Sequence, residues 1–147
     1  MEIIKAHQNK SEEVKKENLL RVIKDATEMI KLCFKPIGLY NGGFAIAHQQ
    51  VEDNYPLRFF VLKTGEIIVN PKIIRHTVVP VDSLEGCLSF PKQRQILVPR
   101  WNKCEVEYKT VKKDGTLSDT IRENLSGPKS KIFQHEIDHL NCKYIYK

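Results

Sequence analysis

Between residues 11 and 34, Leu19, Ile23, Ala26, Ile30 and Cys33 recur at alternating intervals of four and three, with charged residues between them. That spacing predicts an amphipathic helix whose apolar stripe faces a core, begun by Ser11 as N-cap and stopped by Pro36. The pattern then breaks at Asn41-Gly42-Gly43, followed by a small apolar run that ends in His48-Gln49-Gln50. Paired glycines predict a tight turn or a close backbone approach, and His48 reads as a structural or exposed histidine. Residues 57–63 and 66–76 are rich in β-branched and aromatic side chains and read as strands, the second broken at Asn70-Pro71. Alternation is cleanest over 103–111, where Cys104, Val106 and Tyr108 face one way and Glu105, Glu107 and Lys109 the other, the mark of a half-buried strand. Asp114-Gly115 turns the chain into a weaker strand over 116–123. Gly127-Pro128 opens a last helix with two stripes, Phe133, Ile137 and Leu140 for a core, and Lys131, His135 and His139 for a site or solvent.

Composition changes this picture little. A chain of 147 residues suits one domain over its whole length. It has no apolar run of about 18 residues, and its start lacks the basic-then-apolar order of a secretion signal, so a soluble cytoplasmic protein without membrane contact is expected. The four cysteines, Cys33, Cys87, Cys104 and Cys142, form no CxxC pair and read as thiols. A net charge of +6 is explained by solubility. One local bias stands out, the basic stretch 92–103 with Lys92, Arg94, Arg100 and Lys103 around Trp101. No nucleic-acid motif accompanies it, so no dedicated nucleic-acid site is expected.

Candidate chemistry lies in the last helix, where His135-Glu136-Ile137-Asp138-His139 spells His-Glu-x-x-His. Imidazoles four apart lie over one another and can share a cation, while Glu136, about 100° around the axis, can reach a water there. Such a pattern also arises in helices whose histidines merely pack, so a third ligand is needed. Cys33 and Cys104 fall on core stripes and read as buried thiols. Cys87, in the turn-rich run Leu84-Glu85-Gly86-Cys87-Leu88-Ser89-Phe90-Pro91, is the best candidate. Cys142, three residues past His139, competes with it.

Taken in order and spacing, the glycine-rich stretch ending at Gln49, the Glu85-Gly86-Cys87-Leu88-Ser89 segment and Gln134-His135-Glu136-Ile137-Asp138-His139 resemble the three motifs of peptide deformylases. The Asn70-Pro71 strand, the Pro99-Arg100 pair and the Asp114-Gly115 hairpin also fall where that family's would, so the resemblance extends from about Ser11 onward. It implies an α+β fold in which antiparallel β-sheets pack around a central metal-bearing helix, with an N-terminal amphipathic helix. The implied reaction removes the N-formyl group from the initiator formylmethionine of new polypeptides, releasing formate. The resemblance makes Cys87, His135 and His139 the ligands of one divalent metal, ferrous iron by family habit, with zinc, nickel or cobalt able to take its place. Glu136 would be general base and then acid, and the Gln49 amide and Leu88 N–H would donate to the carbonyl oxygen. Substrate contacts would come from Gly43, Phe44, Glu85, Gly86, Lys131 and Ile132, the partners being formylated nascent peptides and the enzyme a monomer. An amidase for another blocked N-terminus, or a binding protein whose groove Phe44 and Lys131 close, are the alternatives.

Three departures accompany the resemblance. The first motif usually reads Gly-x-Gly, an aliphatic residue, two small residues, a variable one and Gln; ending it at Gln49 puts Phe44 in place of a glycine and Ile46 in place of a small residue. Lys131 stands where an apolar residue usually lines the methionine pocket, which predicts weakened preference for methionine, or some tolerance of polar or acidic first residues. Cys142 replaces a glycine, and an end at Lys147 resembles the short forms encoded by some phages, without the C-terminal helix that docks on the ribosome. The basic stretch 92–103 would then offer a weak ribosome contact.

Overall fold

The computed structural model describes residues 1–146, so the expected chain end at Lys147 lies outside the described residues. The first helix, α1 (Leu19–Leu32), follows a 3-10 turn at Lys16–Asn18 and starts later than its spacing predicts. The backbone before it is used elsewhere. Glu12 N–H donates to the Pro56 carbonyl at 2.9 Å, Arg58 N–H donates to the Glu12 carbonyl at 2.7 Å, and Ser11 Oγ donates to the Leu140 carbonyl at 2.8 Å. Ser11 therefore ties an extended segment to Leu140, distant in sequence, instead of capping α1. The buried stripe of α1 is Val22, Ala26, Met29 and Leu32, continuing into Cys33. It keeps a helical period but is turned by about one residue, leaving Ile23 and Ile30 at its half-buried flank.

Two short strands follow, β1 (Pro36–Ile37) and β2 (Tyr40–Asn41), paired with each other. Then come β3 (Ala45–Ala47), β4 (Phe59–Leu62), β5 (Ile67–His76), β6 (Val81–Glu85), β7 (Ile96–Arg100), β8 (Lys103–Lys109) and β9 (Ile121–Ser126). Five of them build an antiparallel sheet in the order β3-β4-β5-β8-β9, while β6 and β7 form a separate hairpin. The chain closes with α2 (Gly127–Leu140), which has Ser126 at its N-cap and Pro128 in its first turn. This is a mixed α+β architecture with antiparallel sheets.

Period-two alternation explains why all four residues of β4 are buried. Phe59 and Val61 join Val22, Ala26 and Met29 in one core, while Phe60 and Leu62 join Phe133, Ile137 and Leu140 in the other. The sheet thus carries a helix on each face, and each fully buried aromatic or aliphatic side chain contributes roughly 1.5–3 kcal/mol. Strand β5 runs through Asn70-Pro71 without breaking, its register with β8 shifting on either side of Ile73. Asn70 takes φ 52° there, and its side chain accepts from Val14 N–H at 2.8 Å and donates to the Val14 carbonyl at 3.0 Å. The amide thereby does for the N-terminal segment what a strand backbone would do.

Strand β8 alternates as its sequence predicts, and the turn at Asp114-Gly115 forms, with Thr116 N–H donating to Asp114 Oδ1 at 3.0 Å. Regular pairing on the return strand begins only at Ile121, after an isolated bridge between Val111 and Leu117. Hairpin β6–β7 has no comparable sequence signature, yet it brings Glu85 and Arg100 to the site.

Candidate metal centre

One turn of α2 separates His135 from His139, and their rings meet edge to face with centroids 4.5 Å apart. Cys87 arrives on the loop after β6, its Sγ 3.3 Å from His139 Nε2. One donor atom from each of Cys87, His135 and His139 lies within 4.8 Å of the others. A thiolate and two imidazoles converging this closely suit a divalent ion of intermediate softness and leave further coordination open, as catalytic sites require. Cys142 takes no part. It lies past the end of α2 with φ 61°, and its Sγ accepts from Gln49 Nε2 at 2.8 Å.

Each histidine is oriented from behind. His135 Nδ1 is 2.7 Å from Glu85 Oε1, and His139 Nδ1 is 3.1 Å from Glu136 Oε1. With Nδ1–H facing a carboxylate, each ring presents an unprotonated Nε2 as the ligand. Arg100 fixes Glu85 in turn, donating from Nε at 2.9 Å and from a terminal nitrogen at 2.8 Å, and its other terminal nitrogen reaches Asp138 Oδ2 at 2.7 Å. Arg100 is thus a buried structural cation, 6% exposed, and not part of a basic outer face. Of the stretch 92–103, Lys92, Arg94 and Lys103 remain exposed.

Charge states follow from this packing. Burial pushes Glu85 up, but hydrogen bonds from His135 and Arg100 overcome it and hold the carboxyl down at about 2. Glu136, deeply buried, is pushed up to about 7, a value suited to taking and returning a proton near neutrality. Burial lowers His139 to about 4, so it stays a neutral ligand, and raises the Cys87 thiol to about 12. A bound cation inverts that last preference and draws out the thiolate.

These groups share a cavity of about 470 Å³, which Gly43, Phe44, Glu85, Gly86, Lys131 and Ile132 also line. Two glycines sit at close approaches, Gly86 the tighter of them. A Cβ on Gly43 would meet Leu88 Cδ1 at 2.9 Å, and one on Gly86 would collide with the Tyr40 ring. Leu88 itself lines the cavity. Phe44 stands at the rim, 76% exposed, between this cavity and a second one of about 360 Å³.

Gln49 is the expected residue that the structure does not bring in. Its amide is buried away from the cavity, donating to the Asn9 carbonyl at 3.1 Å and to Cys142. Gln50 lines the cavity instead, donating to Ser89 Oγ at 3.0 Å and lying 3.8 Å from Cys87 Sγ, while its Oε1 accepts from Ala47 N–H at 2.9 Å. The cause is a 3-10 turn over His48–Gln50 that points successive side chains in different directions. Ending the first motif at Gln50 also restores Ile46 to its aliphatic position, leaving Ala45 in place of a glycine and His48 in place of a small residue. His48 is fully buried, accepting from Leu57 N–H at 2.8 Å and facing Asp25 Oδ2 at 2.8 Å. The tandem glutamines made this register ambiguous, and the position of the aliphatic residue was the signal that could have resolved it. Arg100 was missed as a site residue because its strand carries no alternation.

Comparison with known proteins agrees with this geometry. The family model described as polypeptide deformylase matches residues 2–147. Peptide deformylase 2 of Nostoc sp. is 36% identical over 112 residues, covering 67% of this chain and 58% of its own. The peptide deformylase of Thermotoga neapolitana is 34% identical over 87 residues, covering 57% and 49%. These matches therefore span about half the length of the curated relatives. The deformylase of the Vibrio parahaemolyticus bacteriophage VP16T, solved with actinonin, superposes with a TM-score of 0.78 at 29% identity, covering 99% of this chain and 100% of that one. A probable deformylase from Synechococcus phage S-SSM7 superposes with a TM-score of 0.78 at 26% identity, covering 98% and 96%.

Proposed function

The chain belongs to the polypeptide deformylase family, and from that premise we propose that it hydrolyses the N-formyl group of formylmethionine at the start of new polypeptides, releasing formate. The observation that carries this reading is the convergence of Cys87, His135 and His139 on one cavity with Glu136 and Gln50. Those three residues would hold a divalent metal, ferrous iron being the favoured occupant and zinc, nickel or cobalt compatible with the same donors. When bound, the metal supplies Lewis acidity, polarising the formyl oxygen and acidifying water.

The remaining work falls to the chain. Glu136 takes a proton from water as its oxygen attacks the formyl carbon, then delivers that proton to the departing amine as the carbon–nitrogen bond breaks. Charge growing on the formyl oxygen is met by the Gln50 amide and the Leu88 backbone N–H, donors fixed before the reaction starts. The backbone beside Gly43 and Gly86 lets an extended peptide approach, and Phe44, Lys131 and Ile132 face its first side chain. Glu85 and Arg100 act through His135 by keeping its ring oriented. Lys92, Arg94 and Lys103 are the residues available for a weak ribosome contact by a monomeric enzyme. No helix among the described residues is long and apolar enough to cross a membrane; a cytoplasmic site of action belongs to the proposal, because new polypeptides are its substrates. Phe44 at an open rim removes support from the alternative of a binding protein with a closed groove.

The test is formate release from formyl-Met-Ala-Ser by protein loaded anaerobically with ferrous iron, or with nickel. Turnover lost in Glu136→Gln is the expected result. No formate at full metal occupancy would falsify the proposal.

A further inference from the structure

Lys131 lies on the same face of α2 as His135 and His139, half-buried and lining the cavity. The neighbouring charges are paired among themselves: Arg100 with Glu85 and Asp138, Lys129 with Glu66 and Glu123, and His139 with Glu136. Among the described residues, none of these carboxylates pairs with the Lys131 ammonium. Ser83 on β6 lines the same cavity at 7% exposure. Gln95 adds a carboxamide to the lining. The lining therefore includes a lysine, a serine and a glutamine, none of them used by the chemistry at Glu136.

Resting on the deformylase reading, we infer that this cavity selects a first side chain of methionine length that ends in a neutral hydrogen-bond acceptor. Methionine sulfoxide and glutamine fit that description. An apolar side chain of equal length would strip water from the Lys131 ammonium and the Ser83 hydroxyl and return nothing. The methionine thioether is only a weak acceptor, whereas its sulfoxide adds one strongly polar oxygen to the same skeleton. Since sulfoxide formation is a common lesion of methionine, formylated chains carrying it are a chemically reasonable substrate class. A carboxylate is disfavoured despite the lysine, because burying its charge beside Glu136, 2% exposed, costs more than burying a neutral acceptor.

The experiment measures kcat/KM of the metal-loaded protein for formyl-X-Ala-Ser, with X as methionine sulfoxide, glutamine, norleucine or glutamate. Sulfoxide and glutamine should exceed norleucine by about tenfold, the scale of one hydrogen bond to a charged donor. Lys131→Met should reverse that order, and Ser83→Ala should shrink the ratio in the same direction. Norleucine preferred by the unaltered protein, or an order indifferent to Lys131→Met, overturns the inference; glutamate above glutamine overturns its neutral part. Calorimetric binding of the same peptides to metal-loaded Glu136→Gln protein separates the two readings. If nothing is turned over, the deformylase proposal fails by itself, while the binding order still decides the pocket's preference. Absence of binding by every peptide overturns the inference too.

Discussion

Glu85 Oε1 faces His135 Nδ1 at 2.7 Å while the same carboxylate receives two nitrogens of Arg100. The ligand is thus held by a buried charge that is itself held, and the strength of metal binding should depend on both contacts. Glu85→Gln keeps the size of the side chain but removes its charge, so it should weaken metal affinity by about 10–100-fold. Competition against a chromophoric chelator measures this, and an unchanged affinity would mean His135 needs no such support.

The two adjacent glutamines should separate cleanly on substitution. Gln50→Ala removes a cavity donor and should lower kcat by about 10²–10³-fold. Gln49→Ala removes the bonds to Asn9 and Cys142 and should cost about 1–2 kcal/mol of stability, read by urea unfolding. The reverse pattern, with Gln49→Ala inactive and stable, would show that the side chains exchange places in solution.

Local periodicity carried much of the fold because each helix and strand meets a core on a face that its spacing encodes. Phe133, Ile137 and Leu140 pack together as their spacing predicts, and Cys104 and Val106 do the same on β8. Where contacts between distant segments decide, the sequence is mute. Ser11 reads as the N-cap of the first helix, but pairing of Glu12 with Pro56 and Arg58 keeps the chain there out of that helix. Asn70-Pro71 looks like a break until Asn70 is seen bonding Val14. In the site, Cys87, His135 and His139 were legible from donor chemistry. Arg100 was not, since nothing in its neighbourhood announces that two carboxylates from β6 and α2 will enclose it. His48 likewise needed Asp25 of α1 to show why an imidazole fills a place for a small residue.

Metal loading should be visible at sulfur. Burial holds the Cys87 thiol up at about 12, so a bound divalent ion must displace its proton. Cobalt added to the protein should release protons and produce thiolate-to-metal charge-transfer absorption. Cys87→Ser should abolish that band, and Cys142→Ser should preserve it. A band that follows Cys142 would remove Cys87 from the ligand set.

Acid should unfold the chelator-treated protein in stages, because the site's groups shift in opposite directions. His139, lowered by burial from 6.5 to about 4, contributes stability that falls away as pH drops through that interval. His48, lowered chiefly by burial against the pull of Asp25, acts in the same direction below 6.5. Glu136, raised by burial from 4.5 to about 7, gains stability as pH falls from 7 to 4.5 and offsets part of that loss. Glu85 acts lower. Burial raises it, but the His135 and Arg100 hydrogen bonds win and take it from 4.5 to about 2, so its contribution is complete above 4.5 and disappears as pH falls towards 2. Urea unfolding free energies between pH 7 and pH 3 should therefore show a partly compensated decline above 4.5 and a separate decline below it. Glu85→Gln should flatten only the lower stage; a lower stage that survives the substitution would place the acid-labile carboxylate elsewhere.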